Sequence, residues 1–301
     1  MSGSSTGPGR YAPSPTGELH LGNLRTALLA WLAARSRGAS FLLRIEDLDR
    51  GRSREHFVAT QIAELETIGI EWDAEPVRQS ERHGLYAAAL ERLREDGLVY
   101  ECFCTRAEIR EASSAPHGDL PEGAYPGTCA ELSLAELAAR RASGRPPALR
   151  VRAGAAELTF DDLLHGRVSG VVDDFVVRRN DGDHAYNLAV TVDDADQGIG
   201  EVVRGDDLLD STVRQLWLYE RLGLEAPDRF AHVPLMLGED GSRLAKRHGA
   251  VTLEERVGMG ATPAGLVGEM AASVGLVRHP DAVSAADLIA GFSWDLVAGS
   301  A

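Results

Sequence analysis

The feature that most limits how this chain can fold is the alternation of helical and strand-like apolar patterns in its first hundred residues. Residues 19–34 repeat their leucines at helical spacing, and residues 40–46 form a short apolar run typical of a buried strand. Two further helical patterns, at 53–68 and 82–96, are each followed by a glycine. This order of elements predicts an α/β fold in which helices connect the strands of one sheet.

A segment rich in Cys, Pro and Gly interrupts this alternation between residues 101 and 150, and it contains a charged helical pattern at 133–143. We interpret it as an insertion into the sheet domain. Beyond it, the chain returns to short apolar patterns. Strand-like runs are predicted at 171–178, 186–193 and 200–203, followed by a helix at 211–223 and a mostly helical tail.

Composition excludes several classes of protein. The chain has 301 residues, of which 44% are hydrophobic, enough to bury a sizeable core. It has no run of 18 apolar residues that would span a membrane, and its first residues do not resemble a secretion signal. Three cysteines are too few for a disulfide scaffold. We therefore expect a cytoplasmic globular protein with no membrane partner.

Charge is unevenly distributed along the chain. The net charge of −15 argues against a nucleic-acid partner, because phosphate binding needs a positive surface. Residues 1–60 nevertheless carry +3, whereas residues 181–210 carry −8, so a local basic face can still bind RNA. Of the 31 basic residues, 30 are Arg and one is Lys246, which lies in a Gly- and Arg-containing segment at 241–247. A compact ammonium on a flexible stem differs chemically from the guanidinium used elsewhere.

The first candidate site lies in residues 10–23. Two prolines stiffen this segment and Gly17 allows a sharp turn, and a helix is predicted to begin where His20 and Asn23 occur. The N-terminus of a helix presents unpaired N–H groups and the positive end of its dipole, both of which favour phosphate binding. An ordinary strand–helix turn with a surface histidine explains the same pattern equally well.

Polar residues also follow later apolar runs. Glu46 comes at the end of the run 40–46, where a carboxylate can hold a substrate ammonium group. Tyr186 offers a hydroxyl, and Arg204 is the only cation between residues 181 and 210, with a fork suited to bidentate carboxylate binding. The alternatives are a solvated acidic turn at Glu46 and an arginine that merely neutralises its acidic neighbours. The acidic residues 193–196 favour a solvated loop over a metal site.

The three cysteines form a further candidate site. Cys102 and Cys104 are separated by one residue, and Cys129 follows in a Pro- and Gly-rich segment. Three thiolates and a fourth ligand are typical of a structural zinc site. Three unrelated buried thiols are the alternative.

Five motifs, in this order, resemble the glutamyl-tRNA synthetase family of class I aminoacyl-tRNA synthetases. They are residues 10–23 with His20-Leu-Gly22-Asn23 in place of the HIGH signature, residues 44–49, residues 186–194, residues 203–208, and residues 243–247 as a KMSKS-like loop. Ala245 stands where the family usually has Ser, which removes one hydroxyl from that loop. The resemblance covers residues 9–265.

The resemblance is closer to a truncated branch of the family, the glutamyl-Q tRNA(Asp) synthetases. Residues 203–212 match the version of this segment found in that branch. Only 55 residues follow Lys246, whereas a separate domain usually has about 100. We therefore expect no anticodon-binding domain.

The resemblance implies a Rossmann-like nucleotide-binding catalytic domain with a zinc-bearing insertion and a short helical C-terminal region. The first half of this domain would span residues 1–100 and the second half, with the KMSKS-like loop, residues 151–250. The insertion would span residues 101–150 and resemble an acceptor-binding subdomain. Residues 251–301 would form the C-terminal region.

The resemblance also implies that the enzyme activates L-glutamate with ATP and Mg²⁺, giving glutamyl-adenylate. Glutamate would then pass to the queuosine base in the anticodon of tRNA(Asp). His20 and Lys246 would be catalytic, and ATP would bind at His20, Gly22, Asn23 and Lys246. The glutamate site would be formed by Arg10, Tyr11, Ala12, Pro13, Ser14, Glu46, Tyr186 and Arg204.

For the zinc site, the family pattern makes Tyr125 the fourth ligand beside Cys102, Cys104 and Cys129, with His117 as a conventional rival. We expect a monomer. Two other functions stay open on the sequence: a minimal glutamyl-tRNA synthetase that charges a tRNA 3′ end, and a non-catalytic RNA-binding relative. A nucleotidyltransferase with another substrate is a more distant alternative.

Overall fold

The computed structural model describes residues 7–113, 124–236 and 252–298. Within these ranges the strands form two sheets. In chain order, the strands are β1 (Gly9–Tyr11), β2 (Phe41–Ile45), β3 (Val77–Arg78), β4 (Val99–Cys102), β5 (Ala148–Val151), β6 (Glu157–Asp162), β7 (Gly166–Val171), β8 (Val176–Arg178), β9 (Glu201–Gly205) and β10 (Arg229–Val233). The larger sheet has the order β3-β2-β1-β9-β10-β6-β7, and the smaller one the order β4-β5-β8.

The larger sheet is parallel except for the β6–β7 hairpin at one edge. The first strand, β1, pairs on one side with β2 and on the other with β9, which comes about 190 residues later in the chain. The strands β2 and β3 therefore lie on one side of β1, whereas β9 and β10 lie on the other side, and the strand order reverses between β1 and β9. In open α/β sheets, such a switch point opens a crevice at the carboxyl ends of the strands.

The helices connect and cover these strands. They are α1 (Leu21–Ser36), α2 (Glu55–Thr67), α3 (His83–Glu95), α4 (Arg106–Ser113), α5 (Leu134–Ala142), α6 (Tyr186–Asp196), α7 (Ser211–Leu222), α8 (Leu253–Gly258), α9 (Pro263–Ala272) and α10 (Trp294–Ala298). The prediction of an α/β fold with helical connections is confirmed. The helices predicted in the first hundred residues, the charged helix near 133–143 and the helix at 211–223 are all present.

The helix α1 is buried on nearly all sides rather than along one stripe. It packs on β1, β2 and β9 and is covered by the C-terminal helix α9. Its Ala and Leu residues at 27–34, interrupted only by Trp31, favour helix, and the alanines allow close packing. The helix ends at Arg37, and Gly38 adopts a left-handed conformation with φ of +68° that allows the chain to turn into β2.

The prediction of a strand at 186–193 is wrong, because these residues form α6. An apolar run buried on all sides has no alternation of exposed positions, so periodicity does not distinguish a strand from a helix. Leu188, Ala189 and Val190 are buried where α6 packs against α3 and α7. The predicted run at 171–178 is also divided, with β7 ending at Val171 and β8 beginning at Val176.

The smaller sheet contains strands from both sides of the predicted insertion boundary. Its antiparallel pairs are β4 with β5 and β5 with β8, so residues 176–178 belong to the same sheet as residues 99–102. A small buried cluster of Tyr100, Cys102, Tyr125 and Cys129 lies beside this sheet. The division of the chain into four domains stays a prediction.

Candidate active site

A cleft of about 540 Å³ opens at the switch point of the larger sheet. Its walls follow the carboxyl ends of β1, β2 and β9 and the start of α1. It brings together the described residues that the sequence predicted for glutamate and ATP. These are Arg10, Tyr11, Ala12, Pro13, Ser14, His20, Gly22, Asn23, Glu46, Tyr186 and Arg204. Four motifs that are far apart in the sequence therefore form one cleft.

The N-terminus of α1 forms one wall of this cleft. His20 is the N-cap residue, and its Nδ1 accepts a hydrogen bond of 3.2 Å from the backbone N–H of Asn23. This bond leaves Nε2 of the neutral ring to carry the proton. A Cβ at position 22 would lie 3.0 Å from the His20 ring, so Gly22 allows the ring to fold over the first turn. The first turn of α1 contains no acidic residue that would oppose an anion.

The described residues that flank the stretch with the KMSKS-like segment lie at this wall of the cleft. Leu235 and Met236 line the cleft, and Thr252 forms an antiparallel bridge with His20. Lys246 and Ala245 fall between them, outside the described residues.

Arg10 is engaged inside the protein rather than left open to a ligand. Its Nε and Nη2 donate to the Asp194 carboxylate over 3.2 and 3.3 Å, and Nη1 donates to the carbonyl of Val203. Arg44 donates to the same carboxylate over 2.7 Å. Burial opposes ionisation of Asp194, yet Arg10 and Arg44 hold the pKa of that carboxyl below its usual range. The charge of Arg10 is thus shared with Asp194.

Glu46 lies at the base of the cleft beside Arg44, whose Nη2 donates to Oε1 over 3.2 Å. The Glu46 side chain is 8% exposed. Burial raises the pKa of this carboxyl, although Arg44 and Arg10 act in the opposite direction. A buried carboxylate beside a cleft favours a cationic ligand, because a further positive charge next to it would stabilise its ionised form and lower its pKa.

Arg204 differs from Arg10 in its partners. Arg204 is 5% exposed and lines the cleft, and its guanidinium donates to neutral groups. They are Nε2 of His232 (3.0 Å), Oε1 of Gln215 (2.9 Å), Oγ1 of Thr212 (2.8 Å) and the hydroxyl of Tyr186 (3.4 Å). Within the described residues, Arg204 forms no ion pair with a carboxylate. The alternative that Arg204 neutralises its acidic neighbours is therefore wrong for this part of the chain.

The acidic residues after Tyr186 are structural. Asp193 is fully buried and accepts hydrogen bonds from Gln79, Arg82 and Tyr86 over 2.7 to 3.0 Å. Asp194 is likewise buried. The expected solvated loop is wrong for these two residues, because α6 carries them into the interior, where arginines compensate their charges.

Sequence analysis included Arg44 in the motif at 44–49 but gave it no role, and it missed Gln61. Arg44 joins Asp194 to Glu46, and an arginine within a buried apolar strand was the signal that could have revealed it, because buried charges are almost always paired. Gln61 on α2 lines the cleft, and its Nε2 donates to the carbonyls of Ser14 and Gly17. No local pattern marks Gln61, since its partners come from another element.

The cysteines converge on one point. The Sγ atoms of Cys102, Cys104 and Cys129 lie within 4.8 Å of one another, so this cluster could hold a metal ion. The hydroxyl of Tyr125 lies 3.4 Å from Cys102 Sγ and 3.5 Å from Cys104 Sγ. The alternative of three unrelated thiols is wrong. His117 lies outside the described residues.

A second cleft, of about 580 Å³, adjoins the first and shares Ser14, Glu46 and Tyr186 with it. It extends from these residues towards Cys102 and Cys104. Four arginines contribute to its lining, namely Arg106, Arg145, Arg150 and Arg179. The two clefts thus connect the switch point of the sheet with the cysteine cluster.

The fold and this cleft define a class of protein. Residues 8–269 match the family of class I tRNA synthetases for glutamate and glutamine, catalytic domain. The chain belongs to this family, and the prediction of an ATP-dependent ligase of the aminoacyl-tRNA synthetase class is confirmed.

Its relatives narrow the comparison. The chain is 58% identical to a glutamyl-Q tRNA(Asp) synthetase of Nocardia farcinica, with 91% of this chain and 86% of the relative covered. It is 50% identical to one from Symbiobacterium thermophilum, over 93% and 90% of the two chains. A glutamate–tRNA ligase of Geobacter sulfurreducens is 41% identical, with 97% of this chain and 62% of the ligase covered.

Solved structures agree on the fold. A glutamate tRNA ligase from Elizabethkingia meningosepticum in complex with its amino acid superposes with a TM-score of 0.81 at 29% identity. The match covers 97% of this chain and 66% of that one, so the chain spans just under two thirds of the ligase. None of the described helices combines the length and apolar character needed to cross a membrane.

Proposed function

We propose that the cleft activates glutamate with ATP and that the glutamyl group then passes to the queuosine base of tRNA(Asp). In the first step, an oxygen of the glutamate α-carboxylate attacks the α-phosphorus of ATP, and pyrophosphate leaves. In the second, a hydroxyl of the acceptor attacks the acyl carbon, loses its proton, and AMP leaves. The observation that carries the proposal is Arg204, a buried guanidinium at the cleft with neutral partners.

The glutamate site follows from charge. A substrate carboxylate would compensate Arg204 and also meet the hydroxyl of Tyr186, which already lies 3.4 Å from Nη1. The substrate ammonium would pair with Glu46, whose carboxylate is buried beside the cleft. Arg10 would add a weaker attraction, because Asp194, which it shares with Arg44, already offsets part of its charge. Tyr11, Ala12, Pro13 and Ser14 would form the wall that fixes the orientation of the amino acid.

The nucleotide site would occupy the α1 side of the cleft. The His20 ring and the backbone of Gly22 lie where the dipole of α1 favours the triphosphate, and Asn23, whose backbone N–H is bonded to His20, lines the same wall. Lys246 would reach the phosphates from the stretch between Met236, which lines the cleft, and Thr252, which pairs with His20. Mg²⁺ would bind mainly to phosphate oxygens and water, since this ion usually keeps several waters. Positioning and charge neutralisation supply most of the catalysis in such reactions.

The acceptor would approach through the second cleft. That cleft reaches the proposed glutamate site at Ser14, Glu46 and Tyr186, and its arginines offer positive charge to an RNA backbone despite the acidic whole chain. The choice of queuosine in tRNA(Asp) rests on the names of the relatives that are 58% and 50% identical.

A zinc ion would hold the cysteine cluster together. Three thiolates suit Zn²⁺, and the Tyr125 hydroxyl lies close enough to two of them to complete a four-ligand set. Its role would be structural, stabilising the proposed insertion at 101–150 beside the second cleft. We also propose the remaining domain limits, 1–100, 151–250 and 251–301, and a monomeric protein. We propose a cytoplasmic location, because ATP and tRNA are cytoplasmic substrates.

Transfer of labelled glutamate tests the proposal. The protein is incubated with ATP, Mg²⁺ and tRNA(Asp) with or without queuosine, and tRNA(Glu) is assayed in parallel. We expect label on queuosine-containing tRNA(Asp) only, and resistance of that label to removal of the tRNA 3′ terminal nucleotide.

A second function is favoured by the 41% identity to a glutamate–tRNA ligase, and it is the charging of a tRNA 3′ end. Label on tRNA(Glu), lost with the terminal nucleotide, would support it and contradict the queuosine proposal. No label on any tRNA, together with no glutamate-dependent pyrophosphate exchange, would instead indicate a non-catalytic RNA-binding relative.

A further inference from the structure

A buried histidine and aspartate lie behind Arg204, outside the residues that sequence analysis assigned to the site. His232 is on β10 and Asp162 is the last residue of β6. In the parallel pairing of β9 and β10, His232 is the register partner of Arg204. In the neighbouring pair, Phe230 of β10 is opposite Asp162. Strand order and register therefore align Asp162, His232 and Arg204 across three adjacent strands.

The hydrogen bonds run in one direction through this alignment. Nδ1 of His232 lies 2.6 Å from Oδ2 of Asp162, and Nε of Arg204 lies 3.0 Å from Nε2 of His232. A guanidinium N–H can only donate, so Nε2 of His232 must accept and its ring proton must be on Nδ1. Asp162 fixes that tautomer, because an ionised carboxylate can only accept.

The environment supports a neutral ring. The side chains of His232 and Asp162 are fully buried. Burial lowers the pKa of His232, and Arg204 and His165 lower it further, whereas Asp162 acts in the opposite direction. Two groups from α7 complete the surroundings: Oγ1 of Thr212 accepts from Arg204 Nη2, and Oε1 of Gln215 accepts from Nη1. The orientation of the guanidinium is thus fixed by neutral acceptors on its far side.

We propose that His232 and Asp162 are positioning residues for glutamate activation, holding the Arg204 guanidinium in the orientation that receives a substrate carboxylate without cancelling its charge. This inference rests on the proposed function, in which Arg204 binds glutamate. A carboxylate in direct contact with Arg204 would compete with the substrate. A neutral imidazole between Arg204 and Asp162 orients the guanidinium and keeps the carboxylate one residue away.

Substitution of Asp162 by Asn tests the tautomer. Oδ1 of Asp162 accepts from the backbone N–H groups of Leu164 and His165 over 3.0 and 3.1 Å. An asparagine that keeps these bonds would turn its NH₂ group towards His232, and Nδ1 would then have to accept. The ring proton would move to Nε2 and face the N–H of Arg204. Two donors would then point at each other, and the hydrogen bond between His232 and Arg204 would be lost.

The experiment measures glutamate-dependent pyrophosphate exchange, in the presence of tRNA, for the wild type and four variants. Asp162→Asn and His232→Asn should raise the KM for glutamate about tenfold or more, because a hydrogen bond to a charged group is lost. The KM for ATP should stay within about twofold of the wild-type value, since neither residue lines the first cleft.

In His232→Gln, an amide oxygen near the position of Nε2 should restore most of the affinity for glutamate. His165→Gln, an exposed neighbour whose ring contacts the His232 carbonyl, is the matched control and should leave both KM values unchanged.

A pH profile separates positioning from a merely structural role. The charged and titratable groups around the ring are Asp162, Arg204 and His165. As the pH falls through the lowered pKa of His232, Nε2 gains a proton and can no longer accept from Arg204. The wild-type KM for glutamate should therefore rise as the pH falls below the pKa of His232. This rise should be absent in His232→Gln.

Unchanged KM values for glutamate in Asp162→Asn and His232→Asn would overturn the inference and leave the proposed function standing. Equal loss of glutamate and ATP affinity, with melting temperatures well below that of the wild type, would show a structural role only and would also overturn it. If Asp162→Asn does not fold, the His232→Asn and His232→Gln pair makes the same distinction. A wild type without glutamate-dependent exchange would overturn the proposed function and this inference with it.

Discussion

At the scale of single residues, the two arginines of the cleft show how partners decide what a side chain can do. Arg10 and Arg204 were both predicted from the sequence to bind a substrate carboxylate. The structure pairs Arg10 with a buried carboxylate, Asp194, which it shares with Arg44, whereas the partners of Arg204 are neutral. Residue type alone could not separate them, because a guanidinium suits either role.

Asp194→Asn should destabilise the protein by about 3–5 kcal/mol, because it leaves Arg10 and Arg44 buried without their shared counter-charge. The free energy of unfolding from urea titration at pH 7 is the measurement. The pKa of Asp194 is lowered in the folded state, so its contribution is present above the unfolded pKa of about 3.9 and is lost as the pH falls through the folded value. The stability difference between the wild type and the variant should therefore narrow below about pH 4. A difference that stays constant down to pH 2 would contradict the assignment.

At the scale of elements, the start of α1 and the cysteine cluster are the two places where local sequence most directly determined local structure. The Pro- and Gly-rich segment before α1 and the start of the helix near His20 were recognisable in the sequence. The close spacing of Cys102 and Cys104 predicted a shared site with Cys129, and the three Sγ atoms do converge.

Gly22→Ala tests the geometry of the α1 N-terminus. The added Cβ would lie 3.0 Å from Cε1 and Nδ1 of His20, so the ring must shift by a few tenths of an ångström, which weakens its hydrogen bond from Asn23. We expect the KM for ATP in pyrophosphate exchange to rise about tenfold, the effect of losing roughly 1.4 kcal/mol of binding. The matched control is Gly84→Ala in the first turn of α3, where a Cβ meets no atom within 4 Å. Equal effects of the two substitutions would refute the proposed role of the His20 ring.

The zinc proposal is tested by metal content. Elemental analysis of the purified protein should give about one zinc per chain, the stoichiometry of a single four-ligand site. Cys104→Ser and Tyr125→Phe should each lower that ratio, because each removes a ligand atom, whereas His117→Ala should not. Loss of zinc in His117→Ala with full retention in Tyr125→Phe would make His117 the fourth ligand instead.

At the scale of the whole molecule, the larger sheet and the smaller sheet create two adjoining clefts with different characters. The first is built from the motifs at the switch point and the second from the arginines near the cysteine cluster. Amino-acid activation is proposed for the first cleft and transfer to tRNA for the second, so the two steps can be measured separately.

Arg106→Glu should weaken transfer to tRNA without changing amino-acid activation. Arg106 is exposed on α4 and lines the second cleft, outside the proposed glutamate and ATP sites. We expect a higher KM for tRNA and a decrease of about 1 in the slope of log KM against log salt, with glutamate-dependent pyrophosphate exchange unchanged. Arg140→Glu, exposed on α5 and not part of the lining of that cleft, is the control and should change neither quantity. A fall in exchange itself would show that the two clefts are not separable.

The sequence by itself determined the α/β order of the first hundred residues, the start of α1, the motif residues of the cleft and the grouping of the three cysteines. Each of these depends on spacing within a few turns of chain or on the chemistry of a residue type. Only the tertiary structure decided that residues 186–196 form a helix, that Arg10 is paired with Asp194, and that His232 and Asp162 stand behind Arg204. Asp162, His232 and Arg204 come from three strands, and no local pattern connects residues that only strand order and register bring together.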